Sequence, residues 1–216
     1  WAFAKVQHLH EPLFASLASH ILTKLPACIA QEISNTVWAF ATVAVNHTPL
    51  LQAVSKESTQ RIREYDPQAL SNIAWSYATL TAVDSSLMAA VSAESIRKLG
   101  TFLPQNLGNT VWAYAKLSIQ DFQLLHAISS QSISKLGDYK PQELSNTAWA
   151  FAKLGFRHQP MMDALAVEVM NSVGELNPHD LSGIAWAYAT LSHHHQKPLL
   201  EAISSASLPL LPEFNS

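Results

Sequence analysis

Tryptophan occurs six times, at Trp1, Trp38, Trp75, Trp112, Trp149 and Trp186, and every consecutive pair is 37 residues apart. The surrounding words recur with it. Ile33-Ser-Asn-Thr-Val-Trp-Ala-Phe-Ala-Thr-Val43 returns as Leu70-Ser-Asn-Ile-Ala-Trp-Ser-Tyr-Ala-Thr-Leu80, then again from Leu107, Leu144 and Leu181. A strict period of roughly 20 to 50 residues marks a stacked array, because one such unit cannot bury its apolar face without a neighbour. The units run approximately 1–29 (incomplete), 30–66, 67–103, 104–140, 141–177 and 178–216, as a single array. Hydrophobic residues make up 48% of the chain and charged residues 13%, enough for a continuous core and unlike a disordered segment. Apolar runs are too short for a transmembrane helix, and the chain opens inside a repeat word, not on a targeting segment.

By comparison with later copies, Trp1 is the eighth or ninth residue of its helix. Glu213-Phe-Asn-Ser216 leads up to the start of a further unit, with Ser216, after a one-residue insertion near His195, where other units have Pro104, Pro141 and Pro178. Soluble arrays end in repeats with a polar outer face, and neither end is of that kind. The expectation is therefore the interior of a longer array.

Each unit reads as two helices. Asp66-Pro67 opens the first with a capping side chain followed by proline at the first helical position, and Pro104, Pro141 and Pro178 repeat the signal. This helix runs to about Thr81 in the third unit and is apolar on most sides, as expected of one lying between neighbours. The second helix begins near Pro12, Pro49, Ser86, Gln123, Pro160 and Pro198 and is amphipathic. Gly100, Gly137 and Gly174 are expected to end it in the left-handed conformation. The predicted fold is all-α, a right-handed α-solenoid of stacked antiparallel helix pairs. In it each Trp, flanked by small residues such as Ala39 and Ala41, is expected to be core that packs one first helix on the next. Truncation of an interior ring should then cost about 3–5 kcal/mol.

One polar stripe stands out on the first helices, since residues at i, i+3, i+7 and i+10 share a face. It comprises Glu32, Asn35, Ala39 and Thr42; Ala69, Asn72, Ser76 and Thr79; Asn106, Asn109, Ala113 and Lys116; Glu143, Asn146, Ala150 and Lys153; Asp180, Gly183, Ala187 and Thr190. The nearly uniform Asn residues suit either an inter-repeat hydrogen-bonding ladder or contact with a ligand. The variable ends are suited to discrimination. Lys5, Lys116 and Lys153 read either as cations near a helix C-terminus or as phosphate contacts. The RNA-binding candidates are Asn35, Thr42, Asn72, Thr79, Asn106, Asn109, Lys116, Glu143, Asn146, Lys153, Asp180 and Thr190.

Other chemistry is weaker. Lys24, Arg61, Lys98 and Lys135 share a repeat position four residues after Glu57, Glu94 or Gln131, and read as helix-stabilising pairs. His10, His47, His158 and His195 share one with Asp84 and Asp121 and read as N-caps of the second helix. Successive turns about 8–10 Å apart cannot ligate one ion, so no metal site is expected; the local run His193-His194-His195 does not change that. Cys28, alone of its kind, occupies the slot of Tyr65, Phe102, Tyr139 and Leu176 and reads as a small buried hydrophobe. No nucleophile motif, phosphate-cradling loop or paired carboxylate is present, so neither an enzyme, a cofactor nor a small-molecule substrate is expected. The net charge of −3 requires any nucleic-acid binding to be confined to one face.

With the period and Asn146-Thr-Ala-Trp-Ala-Phe-Ala-Lys-Leu154 in view, the chain resembles the heptatricopeptide repeat family over essentially its whole length. That family is a relative of octotricopeptide repeats and of helical arrays beside RAP domains; no RAP-like domain is present here. The resemblance implies an organellar RNA-binding α-solenoid, of mitochondrion or plastid, acting in RNA processing, stability, translation or ribosome structure. Its partners would be single-stranded or ribosomal RNA and other subunits of an organellar assembly, without membrane insertion. The alternative is a non-enzymatic protein-binding scaffold or structural subunit.

Overall fold

A computed structural model describes residues 2–6, 8–191 and 197–210. Trp1, the His193-His194-His195 run and the segment ending at Ser216 lie outside the described residues, and with them the cap expected at His195. The first helices are α1 (Ala2–Lys5), α3 (Ala30–Thr42), α5 (Pro67–Thr79), α7 (Pro104–Lys116), α9 (Pro141–Lys153) and α11 (Pro178–Thr190). The second are α2 (Glu11–Lys24), α4 (Thr48–Gln60), α6 (Ser85–Lys98), α8 (Phe122–Ile133), α10 (Gln159–Asn171) and α12 (Lys197–Ser207). Five 3-10 turns, beginning with Leu25–Ala27 and Ile62–Glu64, join each second helix to the next first helix. The chain is an all-α solenoid of helix pairs, with no strand among the described residues.

Packing divides the chain into two units, Trp1–Phe102 and Leu103–Ser216. In the first, α3 packs on α5, α2 on α4 and α4 on α6; in the second, α7, α9 and α11 form one layer and α8, α10 and α12 the other. Leucine or isoleucine five residues before Trp and an aromatic two residues after it fill the space between layers. Ile33, Leu70, Leu107, Leu144 and Leu181, with Phe40, Tyr77, Tyr114, Phe151 and Tyr188, are all buried. The hydroxyls of Tyr77 and Tyr188 donate at 2.6 Å to the carbonyls of Leu51 and Met162 on the preceding second helices, satisfying a polar group that burial would otherwise penalise.

The ends of the helices follow from local chemistry. Asp66 and Asn177 accept from the N–H of Ala69 and Asp180 at 2.7 and 2.9 Å. Ile29, Leu103 and Lys140 carry no acceptor at that position. There the side chain three residues on folds back to the free N–H: Glu32 to Ile29, Asn106 to Leu103 and Glu143 to Lys140, at 3.0, 3.0 and 2.8 Å. The second helices are capped as the repeat position predicts. Nδ1 of His10, His47 and His158 accepts from Leu13, Leu50 and Met161 at 3.1 to 3.2 Å, and Asp84 and Asp121 accept from Leu87 and Leu124 at 3.0 Å.

Three expectations are corrected. Gly100, Gly137 and Gly174 are not left-handed; they sit second in the 3-10 turns, at the register of Pro26, whose ring holds φ negative. The left-handed residues instead end the first helices, at Ala44, Thr81, Ser118 and Gly155, with φ of 56°, 52°, 57° and 64°. There the N–H of Val45, Ala82, Ile119 and Phe156 closes onto Phe40, Tyr77, Tyr114 and Phe151 at 2.8 to 2.9 Å, the six-to-one bond of a Schellman ending.

Cys28 is half-buried, unlike the buried Tyr65, Phe102, Tyr139 and Leu176, because its thiol is too short to fill a slot made for a ring. Desolvation, aided by Glu32, pushes that thiol's pKa up and keeps it protonated.

The third correction concerns the tryptophans. None of the described rings is fully buried: Trp38, Trp75, Trp112 and Trp149 are half-buried, and Trp186 is 44% exposed. The small residue after each Trp explains this. Ala39, Ser76, Ala113, Ala150 and Ala187 are buried, which lets neighbouring first helices approach closely and leaves the indole at the rim of the contact.

The cations at the end of the second helices do more than pair along their own helix. Arg61 meets Glu57 at 3.0 Å and Lys98 meets Glu94 at 2.8 Å, as the i,i+4 spacing predicts. Each also reaches back one repeat: Arg61 donates to the carbonyl of Cys28 at 3.0 Å, and Lys98 to that of Tyr65 at 2.6 Å. Repeat is thereby tied to repeat.

Candidate nucleic-acid interface

Trp shares a face with the residues seven before, three before and four after it, because steps of four, three and four keep close to one side of a 3.6-residue helix. On α3 these are Gln31, Asn35, Trp38 and Thr42; on α9 they are Gln142, Asn146, Trp149 and Lys153. This is the solvent side of each first helix. The Asn and Lys/Thr positions of the expected stripe lie on this side, while its middle positions, Ala39, Ser76, Ala113, Ala150 and Ala187, are buried and an indole stands there instead.

Asn35, Asn72, Asn109 and Asn146 are half-buried, and among the described residues none of their side-chain amides hydrogen-bonds to the protein. The inter-repeat amide ladder is thus not formed. Four oriented amides face solvent beside aromatic rings. In the first unit, Trp38 and Trp75 lie 6.5 Å apart, centroid to centroid, with planes inclined by 31°. Lys5 places its ammonium 5.6 Å from the centre of the Trp38 ring, a cation–π contact between consecutive repeats.

The remaining candidates fall into different surroundings. Thr42 bonds to the carbonyl of its own Trp38 at 2.8 Å. Thr79 Oγ1 is buried without a partner. Asn106 and Glu143 each give one side-chain oxygen to helix capping. Asp180 is 3% exposed, and desolvation raises its pKa above the ordinary carboxylate value. Lys116, Lys153 and Thr190 are exposed. In the second unit Lys116 and Lys153 are thus exposed, while Glu143 is turned to the backbone and Asp180 is buried.

In the second unit this face holds a cavity of about 570 Å³. It is lined by Trp112, Lys116, Ser145, Asn146, Trp149, His179, Ser182, Gly183 and Trp186. Two candidates, Lys116 and Asn146, meet there; Asn109 and Lys153 do not line it. The sequence reading missed the three tryptophans, both serines and His179. The signal for them was the same 37-residue register, which repeats a serine four before Trp at Ser34, Ser71, Ser145 and Ser182.

A half-exposed aromatic row with unpaired amides and flanking ammonium groups can stack planar rings, hydrogen-bond their edges and neutralise phosphates. Comparison with known proteins bears on this chemistry. Residues 1–196 match the family model described as RNA-editing substrate-binding complex 6 protein. No curated protein matches the chain.

Proposed function

Because the chain belongs to the RNA-editing substrate-binding complex 6 protein family, we propose that it is a non-enzymatic RNA-binding subunit of an RNA-processing assembly. It holds single-stranded RNA along the Asn–Trp–Lys face of its first helices. The observation that carries this reading is the row of half-buried Asn amides with no protein partner, each set beside a half-exposed indole. Stacking of a base on an aromatic ring contributes about 1–3 kcal/mol and tolerates any base, and the amides supply hydrogen bonds to base edges. Lys116 and Lys153 serve phosphates.

The family name points to editing as the process and to a complex, with protein partners, as the setting. The mitochondrion is the compartment proposed, in preference to the plastid. The 37-residue words shared with heptatricopeptide arrays fit the same use of stacked first helices.

Indole emission tests the reading directly, since the binding rings are the chain's own fluorophores. Titration with short oligo(U) should quench that emission and saturate, and Trp75→Leu should weaken binding by about tenfold, the loss of one stacking contact. No quenching and no RNA binding by the intact chain would overturn it, as would a partner polypeptide seated on the face in the assembly.

A further inference from the structure

Three residues before Trp, the register reads Asn35, Asn72, Asn109, Asn146 and then Gly183. Gly183 lies inside α11 with ordinary helical φ, so no turn requires it. Glycine in a helix interior costs about 1 kcal/mol relative to alanine, and something must offset that. Close approach of a neighbour is part of the reason: a Cβ built on Gly183 would stand 3.1 Å from Ser145 Oγ. It is not all of it, because Ser34 stands at the register of Ser145 and Asn72 at that of Gly183, and an asparagine is accommodated there. What the missing side chain leaves is the cavity among Trp112, Trp149 and Trp186.

We propose that this cavity is a nucleobase pocket. It admits the base of one unpaired nucleotide turned out of the strand, at the register position where Gly183 replaces the asparagine of four earlier repeats. The inference rests on the RNA-binding reading and adds to it a position that discriminates. Its volume, about 570 Å³, lies in the range of sites that enclose small ligands. Indole faces supply stacking, and the polar residues of the lining are Lys116, Ser145, Asn146, His179 and Ser182, with no carboxylate among them. Ser145 is 3% exposed, and its hydroxyl lies between the Asp180 carbonyl, at 3.5 Å, and the Asp180 carboxyl, which fixes its position at the wall of the cavity. Ser145 and Asn146 read the base edge, and Lys116 holds the adjoining phosphate. Edge recognition by buried polar groups discriminates because the wrong base leaves them unpaired.

The test is the affinity of the full chain for short oligo(A), oligo(C) and oligo(U), by fluorescence anisotropy. The chain should prefer one of the three by about tenfold, the effect of one or two hydrogen bonds to a buried edge. Gly183→Asn, which restores the side chain of the other repeats, should bring the three within about twofold while general affinity falls no more than a few-fold. Ser145→Ala combined with Gly183→Asn removes the hydroxyl that makes the close contact, keeps a good helix former inside α9, and should give the same loss in a chain that still unfolds cooperatively. Absence of any preference in the parent chain, or a preference that survives in either folded variant, overturns the pocket. Trp75→Leu, outside the cavity, separates the two claims. If it leaves RNA affinity unchanged, the face itself is misassigned; if it weakens binding while Gly183→Asn changes nothing, only the pocket fails.

Discussion

Nζ of Lys98 lies 2.6 Å from the carbonyl oxygen of Tyr65, so the last turn of α6 holds the end of the 3-10 turn one repeat earlier. The same ammonium bonds to Arg63 O at 2.8 Å and to Glu94 at 2.8 Å, and its side chain is 20% exposed. Lys98→Met should therefore lower unfolding free energy by about 2 kcal/mol, the worth of charge-assisted bonds removed from half-buried partners. Lys116→Met, at an exposed position that ends α7, should change it by less than about 0.5 kcal/mol. Urea denaturation of both variants measures the difference.

Two carboxylates should move the pH dependence of stability in opposite directions. Hydrogen bonds from Arg97, then Lys98, hold Glu94 down to about 2, against an ordinary 4.5. Its contribution is present above that ordinary value and is lost as pH falls towards about 2. Glu94→Gln should flatten the acid limb of the melting-temperature profile. Asp180 is raised by desolvation, so its contribution is present while it is protonated and is lost as pH rises through its folded pKa. Asp180→Asn should raise the melting temperature at neutral pH, by an amount that shrinks on acidification.

The left-handed ends of the first helices predict a sign change between glycines and non-glycines. Thr81 holds φ 52° with a β-branched side chain, and Thr81→Gly should stabilise by about 0.5–1 kcal/mol. Gly155→Ala, at φ 64°, should destabilise by about 1 kcal/mol. A Cβ on Gly100 would meet nothing within 4 Å at an ordinary φ, so Gly100→Ala should be neutral or mildly stabilising. Destabilisation by Gly100→Ala would restore the helix-ending role that the sequence pattern suggested.

The histidine caps make a further case. His47 Nδ1 accepts from the N–H of Leu50 at 3.1 Å, a bond that requires the neutral ring. His47→Ala should cost about 1 kcal/mol in thermal denaturation, and His47→Asp, the residue type found at Asp84 and Asp121, should retain stability.

The repeat, the helix bounds to within a residue or two, the second-helix caps and the Glu57–Arg61 and Glu94–Lys98 pairs were all legible in the sequence, because each depends on neighbours a few residues apart. The orientation of Trp was not. Trp and the small residue after it lie about 100° apart around the helix, and either can complete a face with the Asn three before and the Lys four after. Which one is buried depends on how closely the next helix comes, a tertiary quantity set by Ala39, Ala113 and their counterparts. The capping bonds of Glu143 and Asn106 were not foreseen for a related reason: whether a residue three after the N-cap turns back to the backbone depends on the N-cap lacking an acceptor of its own. Where the repeat is broken at Gly183 the pattern was visible, but the cavity it opens was not.

Trp112 now carries a different expectation from that of a core residue. Being half-buried, its truncation to alanine should cost about 1–3 kcal/mol of stability, less than a buried ring, while weakening RNA binding by about tenfold. A loss near 4–5 kcal/mol with unchanged RNA affinity would return the ring to the core.

The most direct test of the RNA-binding face is the salt dependence of oligo(U) affinity in the Lys116→Glu/Lys153→Glu double variant. Both side chains are exposed and make no ion pair among the described residues, so the fold should survive the change. If they serve phosphates, affinity should fall at least about tenfold and the slope of log affinity against log salt should shallow by about two contacts' worth. An affinity and a slope both equal to those of the parent chain would contradict the assignment of this face to RNA.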